Sequence, residues 1–321
     1  MDRRLKLRNR IASGGCGEVY LARQEHLDRD VAVKILRPEL ADDPESLARF
    51  YREARAAARI RSPYVIAVFD LGVAPSGLTY LVMEYVPGEP LTELIAREGP
   101  LQVGRAVHLI AQVLRGLSAA HDVGVVHADI TSGNCLVQRQ VNGEEHLKVI
   151  DFGIARLMEE PVPRNLVCGT PEYIAPEVVL GSPPDERADV YGAGAVFYEL
   201  ITGSPPFTGP SPIDVATRQV NEEIEPLRDR RPDLQIPGDL EGVLLRALAK
   251  SPDDRYANAT AFRVALERAV PASSQPAARA PSPVLTTAVT ASWEASDVRS
   301  VPVTPAVQTT RRLQKRALVV G

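Results

Sequence analysis

The sequence predicts an α+β protein of two lobes: a small β-rich part over residues 1–86, a larger helical part over 87–270, and a tail over 271–321 that builds no core. Three observations predict it. Short β-favouring runs dominate before Pro87-Gly88, and long helical patterns dominate after it. From Pro271 onward both give way to Pro, Ala, Ser, Thr and Val. A length of 321 residues, 45 % hydrophobic and 24 % charged, supports a substantial core and about two folded units.

In chain order, residues 5–11, 19–22, 31–36, 65–71 and 79–85 read as short strands punctuated by Gly, Asp and Pro. One helix interrupts them at 44–59, where Pro44 suits the first turn and repeated Ala and Arg favour helix. The second part carries helical patterns at 102–122, 187–202, 240–249 and 259–269. Between the first two of these, residues 135–138 and 147–150 read as a hairpin turned near Asn142-Gly143. In the tail, Pro281, Pro283, Pro302 and Pro305 break any period, so residues 271–308 are expected to form a mobile linker. No internal repeat is present.

Composition narrows the function classes. Cys16, Cys135 and Cys168 lie far apart with no C-x-x-C spacing, which indicates neither a disulfide framework nor a zinc site and suits a reducing cytoplasm. No apolar run approaches the ~20 residues of a membrane span, and residues 1–10 are polar and basic, unlike a secretory leader. The end, from Arg311-Arg312 through Lys315-Arg316 to Val319-Val320-Gly321, resembles a basic juxtamembrane stretch, so a span could follow in a longer chain. The tail holds six Lys/Arg against two Asp/Glu, or +4, so a net charge of −4 for the whole chain leaves −8 on residues 1–270. That balance argues against a nucleic-acid-binding core.

The chemistry-bearing residues handle phosphate. Ser13-Gly14-Gly15-Cys16-Gly17 joins the first two strand runs, where glycine lets backbone N–H groups approach phosphates, although an unliganded hairpin turn explains such a stretch as well. Lys34, in Val31-Ala32-Val33-Lys34, sits on the third strand, and Glu53 on the following helix offers a carboxylate to hold its ammonium. Either residue alone reads equally as solvated surface. Specificity arrives with His127-Ala128-Asp129-Ile130-Thr131-Ser132-Gly133-Asn134, which fits H-x-D-x-x-x-x-N, and with Asp151-Phe152-Gly153 after the hairpin. Phosphoryl transfer asks for cations, metal-binding oxygens and one carboxylate to orient the attacking hydroxyl, and Lys34, Asp129, Asn134 and Asp151 meet that list.

With these motifs in order, residues 1–270 resemble the eukaryotic-like serine/threonine protein kinases, the bacterial branch above all. The resemblance implies a two-lobed kinase fold, ATP and Mg²⁺ as cofactors with Mn²⁺ equally suited to the oxygen ligands, and protein substrates. It implies Asp129 as catalytic base, Asn134 and Asp151 as metal ligands, a Lys34–Glu53 ion pair, and Gly14, Gly15 and Gly17 over the phosphates. The adenine pocket it implies is lined by Ile11, Val19, Ala32, Met83 and Leu136, with backbone hydrogen bonds from Glu84 and Val86. Gly169 to Glu177 resembles the end of an activation segment where a substrate peptide docks beside Thr170. Asp189 would anchor the catalytic loop, and Arg255 would pair with Glu177. His127 and Cys135 are read as packed core.

Three positions depart from the family pattern. Ala12 replaces the first loop glycine, which weakens the nucleotide grip. Thr131 stands where such kinases place a lysine that reaches the transferred phosphate, and losing a donor of that kind costs on the order of 10²–10³ in rate. Ala128 replaces an arginine that pairs with a phosphorylated loop residue, and residues 154–168 contain no Ser, Thr or Tyr. Activation is therefore expected not to require loop phosphorylation, with Glu159 and Glu160 supplying some negative charge. Autophosphorylation is expected in the tail, at residues such as Ser282, Thr304, Thr309 and Thr310. Two other readings stay open: a nucleotide-binding pseudokinase, motivated by the departures, and a small-molecule kinase whose H-G-D-x-x-x-x-N loop resembles residues 127–134.

Overall fold

The computed structural model describes residues 5–15, 17–152, 156–157 and 170–270. The chain divides into two units, 1–278 and 279–321, and the fold described is that of the first. Alternation along the strands builds its N-terminal sheet. Strands β1 (Leu5–Ser13), β2 (Gly17–Gln24), β3 (Arg29–Leu36), β4 (Val68–Val73) and β5 (Thr79–Glu84) pair antiparallel in the order β1-β2-β3-β5-β4. On the central strand β3 the period of two sends Val31 and Val33 to one face, against Ala22, Tyr80 and Val82. Its other face carries Ala32, Lys34 and Leu36, and Leu36 packs with Phe50, Ala54 and Leu81. Pairing of Lys34 with Leu81 and of Ala32 with Met83 sets the register.

Helix α1 (Pro38–Ala41) is a single turn leading to α2 (Pro44–Arg59). The Asp43 carboxylate accepts the Ser46 N–H at 2.9 Å, and Pro44 occupies the first turn, so both start signals of α2 are met. Of its five buried positions, Phe50, Glu53, Ala54 and Ala57 recur at three and four residues, with Ala56 beside them, and place Glu53 on the face turned to the sheet.

The helical lobe is built around α4 (Val103–His121) and α6 (Glu186–Thr202). From Ala188 to Ile201 every residue of α6 is buried, the signature of a helix enclosed on all sides. Asp185 caps its N-terminus and left-handed Gly203 ends it. The lobe adds β6 (Glu89–Pro90), α3 (Leu91–Glu98), β7 (Val125–Val126), β8 (Cys135–Arg139), β9 (Glu145–Val149) and β10 (Arg156–Leu157). Helices α5 (Pro176–Val179), α7 (Pro212–Asn221), α8 (Leu227–Arg230), α9 (Gly238–Ala247) and α10 (Ala259–Ala269) complete it.

Two differences from the sequence expectation have physical causes. Residues 65–67 do not join the fourth strand, because Val65 bridges Val149 and Ile66 N–H donates to the Val149 carbonyl at 3.0 Å, tying this stretch to the β8–β9 hairpin instead. Helices α3 and α7 were not expected; both are short, and both begin beside a proline that reads as a breaker rather than a start. The tail at 271–321 lies outside the described residues.

Candidate active site

Asp189 shapes the catalytic loop. Its Oδ2 accepts the His127 N–H at 2.9 Å and its Oδ1 accepts the Ala128 N–H at 2.7 Å. Ala128 adopts φ +61°, a left-handed conformation that a side chain disfavours and that these bonds hold in place. Gly192 on α6 permits the close approach, since a Cβ there would stand 3.2 Å from the Ile130 carbonyl oxygen. His127 is fully buried, and its Nδ1 accepts the Asp129 N–H at 3.2 Å while Nε2 donates to the Ile150 carbonyl at 3.1 Å. It is packed core, as the sequence suggested, and its ring lies 4.5 Å from that of buried Phe152.

These restraints bring the predicted residues into one region. Lys34 Nζ donates to Glu53 Oε1 at 3.2 Å and, more closely, to Asp151 Oδ1 at 2.7 Å. Asn134 Nδ2 donates to the Asp129 carbonyl at 2.9 Å, which leaves Oδ1 of Asn134 as a donor atom for a cation. Asp129 Oδ1 accepts the Thr170 N–H at 3.2 Å, joining the loop to the segment ahead of α5. Glu177 receives a bidentate pair from Arg255, at 2.8 and 2.6 Å.

A cleft of about 420 Å³ opens beside them, lined among others by Ile11, Val19, Ala32, Met83, Val86 and Leu136, with Lys34, Glu53 and Asp151 on its wall. Such apolar walls with a few charged groups suit a flat heterocycle carrying phosphates. Glu84 lines it too, but its N–H already donates to the Ala67 carbonyl at 2.8 Å. The Val86 carbonyl accepts the Gly88 N–H at 2.9 Å, and its own N–H meets no acceptor among the described residues, leaving it for a bound base.

The protein kinase domain family model matches residues 5–265. The chain belongs to that family. Serine/threonine-protein kinase pkn3 of Myxococcus xanthus is 43 % identical over 263 residues, covering 80 % of this chain and 48 % of that protein. PknB of Mycobacterium tuberculosis is 42 % identical over 272 residues, covering 83 % and 42 %. The chain thus spans about half the length, or less, of these relatives. The crystal structure of the M. tuberculosis PknI kinase domain superposes with a TM-score of 0.64 at 29 % identity, covering 84 % of this chain and 96 % of that one.

Electrostatics divide the acidic groups of this kinase domain. Burial presses the Asp151 carboxyl upward most strongly, but the Lys34 ammonium and the hydrogen bonds from Glu53 and Lys34 together outweigh it and hold the group below its ordinary value. Burial wins at Glu53, whose carboxyl is raised against the pull of Lys34, and likewise at Asp129, against His127 and the Thr170 N–H. Lys34 is raised: its burial is outweighed by Asp151 and Glu53, so its charge is secure. Cys135, fully buried, has its thiol pushed up to about 12 and is inert core.

The donor set fits a divalent cation. One amide oxygen and one carboxylate are hard ligands of the kind Mg²⁺ and Mn²⁺ take, with phosphates and water filling the rest. Among the described residues no group of three or more His, Cys, Asp or Glu is placed to hold a metal ion by itself.

Two expectations need adjustment. Thr131 is 6 % exposed, and its hydroxyl accepts the Asn134 N–H at 3.2 Å, capping the short 3-10 turn at Ser132–Asn134 instead of lining the cleft. Gly17 is set by packing: a Cβ there would fall 2.1 Å from the Ile35 carbonyl oxygen, whereas Gly14 and Gly15 face open space. Cys16, Gly153, Cys168, Gly169, Glu159 and Glu160 lie outside the described residues. Sequence reasoning also missed Glu93, which lines the cleft from α3, and Ser132 and Glu199, whose contacts join distant segments and leave no local pattern.

Proposed function

We propose that this chain transfers the γ-phosphate of ATP to serine and threonine hydroxyls of protein substrates. The observation that carries the reading is the convergence of Lys34, Asp151, Asn134 and Asp129 at the end of an apolar cleft, with Asp129 bonded to Thr170. Lys34 binds phosphate oxygens and is kept charged by its two carboxylates. Asn134 and Asp151 would hold a divalent cation, Mg²⁺ or Mn²⁺, which when bound neutralises charge developing on the phosphates. Asp129 orients the acceptor hydroxyl and takes its proton, a role its raised carboxyl serves by being a better base than an ordinary aspartate. The segment from Thr170 to Glu177, braced by Arg255, supports the choice of a protein acceptor over a small molecule.

Several finer points belong to the same proposal. With Ala128 in the catalytic loop and no hydroxyl in residues 154–168, activity requires no activation-loop phosphorylation. Autophosphorylation falls on the tail, the cytoplasm is the working compartment, and nucleic acid is not a partner. No helix among the described residues is long and apolar enough to cross a membrane.

Incubation with γ-labelled ATP and Mg²⁺, beside Asp129→Asn, tests the reading. Label on Ser/Thr of the chain and of a generic acceptor protein, lost in the variant, is the expected result. Nucleotide binding without label would support a pseudokinase, and label only on small hydroxylated molecules would support the small-molecule enzyme.

A further inference from the structure

Ser132, three residues beyond Asp129, is 1 % exposed, yet its hydroxyl has two side-chain partners. Its Oγ lies 2.9 Å from Thr92 Oγ1 on α3 and 2.9 Å from the Tyr173 hydroxyl in the segment ahead of α5. The Tyr173 hydroxyl lies 2.7 Å from Oε2 of Glu199 on α6. Glu199 is itself 6 % exposed. Four segments of the helical lobe therefore meet in one line of polar atoms.

Counting protons gives that line a direction. An ionised carboxylate only accepts, so the single phenolic proton of Tyr173 goes to Glu199. The Tyr173 oxygen must then accept from Ser132, and Ser132, its own proton committed, accepts from Thr92. Each hydroxyl polarises the next, and a buried line of this kind is stronger than its separate bonds. Ser132 and Glu199 are both buried, so water is not an easy substitute partner for either.

The line has a geometric consequence. The docking segment meets the catalytic loop through Thr170 N–H on Asp129 and through Tyr173 on Ser132. The first contact involves the reacting carboxylate; the second does not, and Ser132 is absent from the lining of the nucleotide cleft. We infer that Ser132 is a positioning residue for the protein substrate: through Tyr173 it seats the docking segment against the catalytic loop and so sets where the acceptor hydroxyl meets Asp129. The inference rests on the kinase reading proposed above.

Ser132→Ala removes the middle hydroxyl, leaving Tyr173 without a donor and Thr92 without an acceptor. Steady-state kinetics with a generic acceptor protein and ATP, varied separately, read the effect. The KM for the acceptor protein should rise by roughly tenfold while the KM for ATP stays within a factor of two, since a buried group left unpaired has a cost of that order. Thr92→Val, at the exposed start of the line, should raise the acceptor KM in the same direction by less. It guards against a fold defect in the first variant, and the unfolding midpoint of both is measured alongside. An unchanged acceptor KM in Ser132→Ala, or an ATP KM that climbs in parallel, would overturn the inference. If the unmodified chain labels no acceptor protein at all, the kinase reading itself fails, a result distinguishable from either.

Discussion

A single methyl group at Gly17 separates packing from phosphate binding in the glycine-rich turn. Gly17 opens β2 opposite Leu36 of β3, and a Cβ there would lie 2.1 Å from the Ile35 carbonyl oxygen and 3.0 Å from its carbon. Even a close carbon–oxygen contact needs about 3.3 Å, so the strands must part by about 1 Å. That movement also strains the turn bond from Gly14 N–H to the Gly17 carbonyl, now 2.9 Å. Overpacking of this kind costs about 1–3 kcal/mol. For a domain of this size each kcal/mol lowers Tm by about 2–4 °C, giving a fall of roughly 2–12 °C. Alanine at Gly14 or Gly15 meets no atom within 4 Å, so those variants should keep their stability within ~0.5 kcal/mol and act on ATP binding alone. Urea denaturation of the three variants, with ATP titrated calorimetrically, reads both effects. A Gly17→Ala protein as stable as its parent, or a clearly destabilised Gly14→Ala, would refute the steric argument.

Other outcomes follow from contacts described above. Glu177→Ala leaves the Arg255 guanidinium, whose side chain is 0 % exposed, without its counter-charge although its bonds to the Ala249, Arg187 and Lys250 carbonyls remain, and should cost about 3–5 kcal/mol in chemical denaturation. A loss within the ~0–1 kcal/mol of an exposed ion pair would mean that water reaches the site. Thr131→Ala removes the cap of the turn before Asn134, and should lower stability by about 1 kcal/mol and kcat with it while ATP affinity holds. Tighter coupling of Thr131 to nucleotide would appear as weakened ATP binding instead. His121 donates from Nε2 to Asp189 at 2.8 Å, and its buried Nδ1 is unpartnered, 3.8 Å from Glu186. Burial opposes its charge, but Asp189, Glu186 and Asp122 outweigh burial and raise its pKa above the ordinary value. Because the folded value is the higher one, the stabilisation is complete below the ordinary histidine pKa and is lost as pH rises through the folded value. The stability advantage over His121→Asn should therefore shrink between neutral and alkaline pH, and an advantage that grows over that range would contradict the charge assignment.

Much of this site could be read before any coordinates, for local reasons. Helix α2 announces itself through Asp43, Pro44 and its apolar spacing, and that places Glu53 on the buried face opposite Lys34. Strand β3 alternates strictly enough to aim Lys34 into the cleft. The catalytic loop and Asp151 are short contiguous motifs. What stayed hidden depends on groups far apart in the chain. The closer partner of Lys34 is Asp151, 117 positions away. The line from Thr92 to Glu199 joins residues with no shared period. Thr131 reads as a missing cation in sequence, and only the turn it caps reveals its hydrogen bond to Asn134. Residues 65–67 look like ordinary strand because nothing local indicates that the β8–β9 hairpin competes for them.

The carboxylate of Asp189 fixes the catalytic loop from a helix that lines no part of the cleft. The unfavourable turn at Ala128 is consequently settled once, when the helical lobe folds, and Asp129 sits on a loop whose conformational entropy is already gone. The nucleotide side is different: Gly14 is tied to the Gly17 carbonyl and to Arg37 by exposed hydrogen bonds, and a side chain at Gly14 or Gly15 would meet nothing within 4 Å. Ordering on ATP binding should fall on that turn, so the entropy of nucleotide association is a property of the β-rich lobe, while the readiness of Asp129 is a property of the helical one.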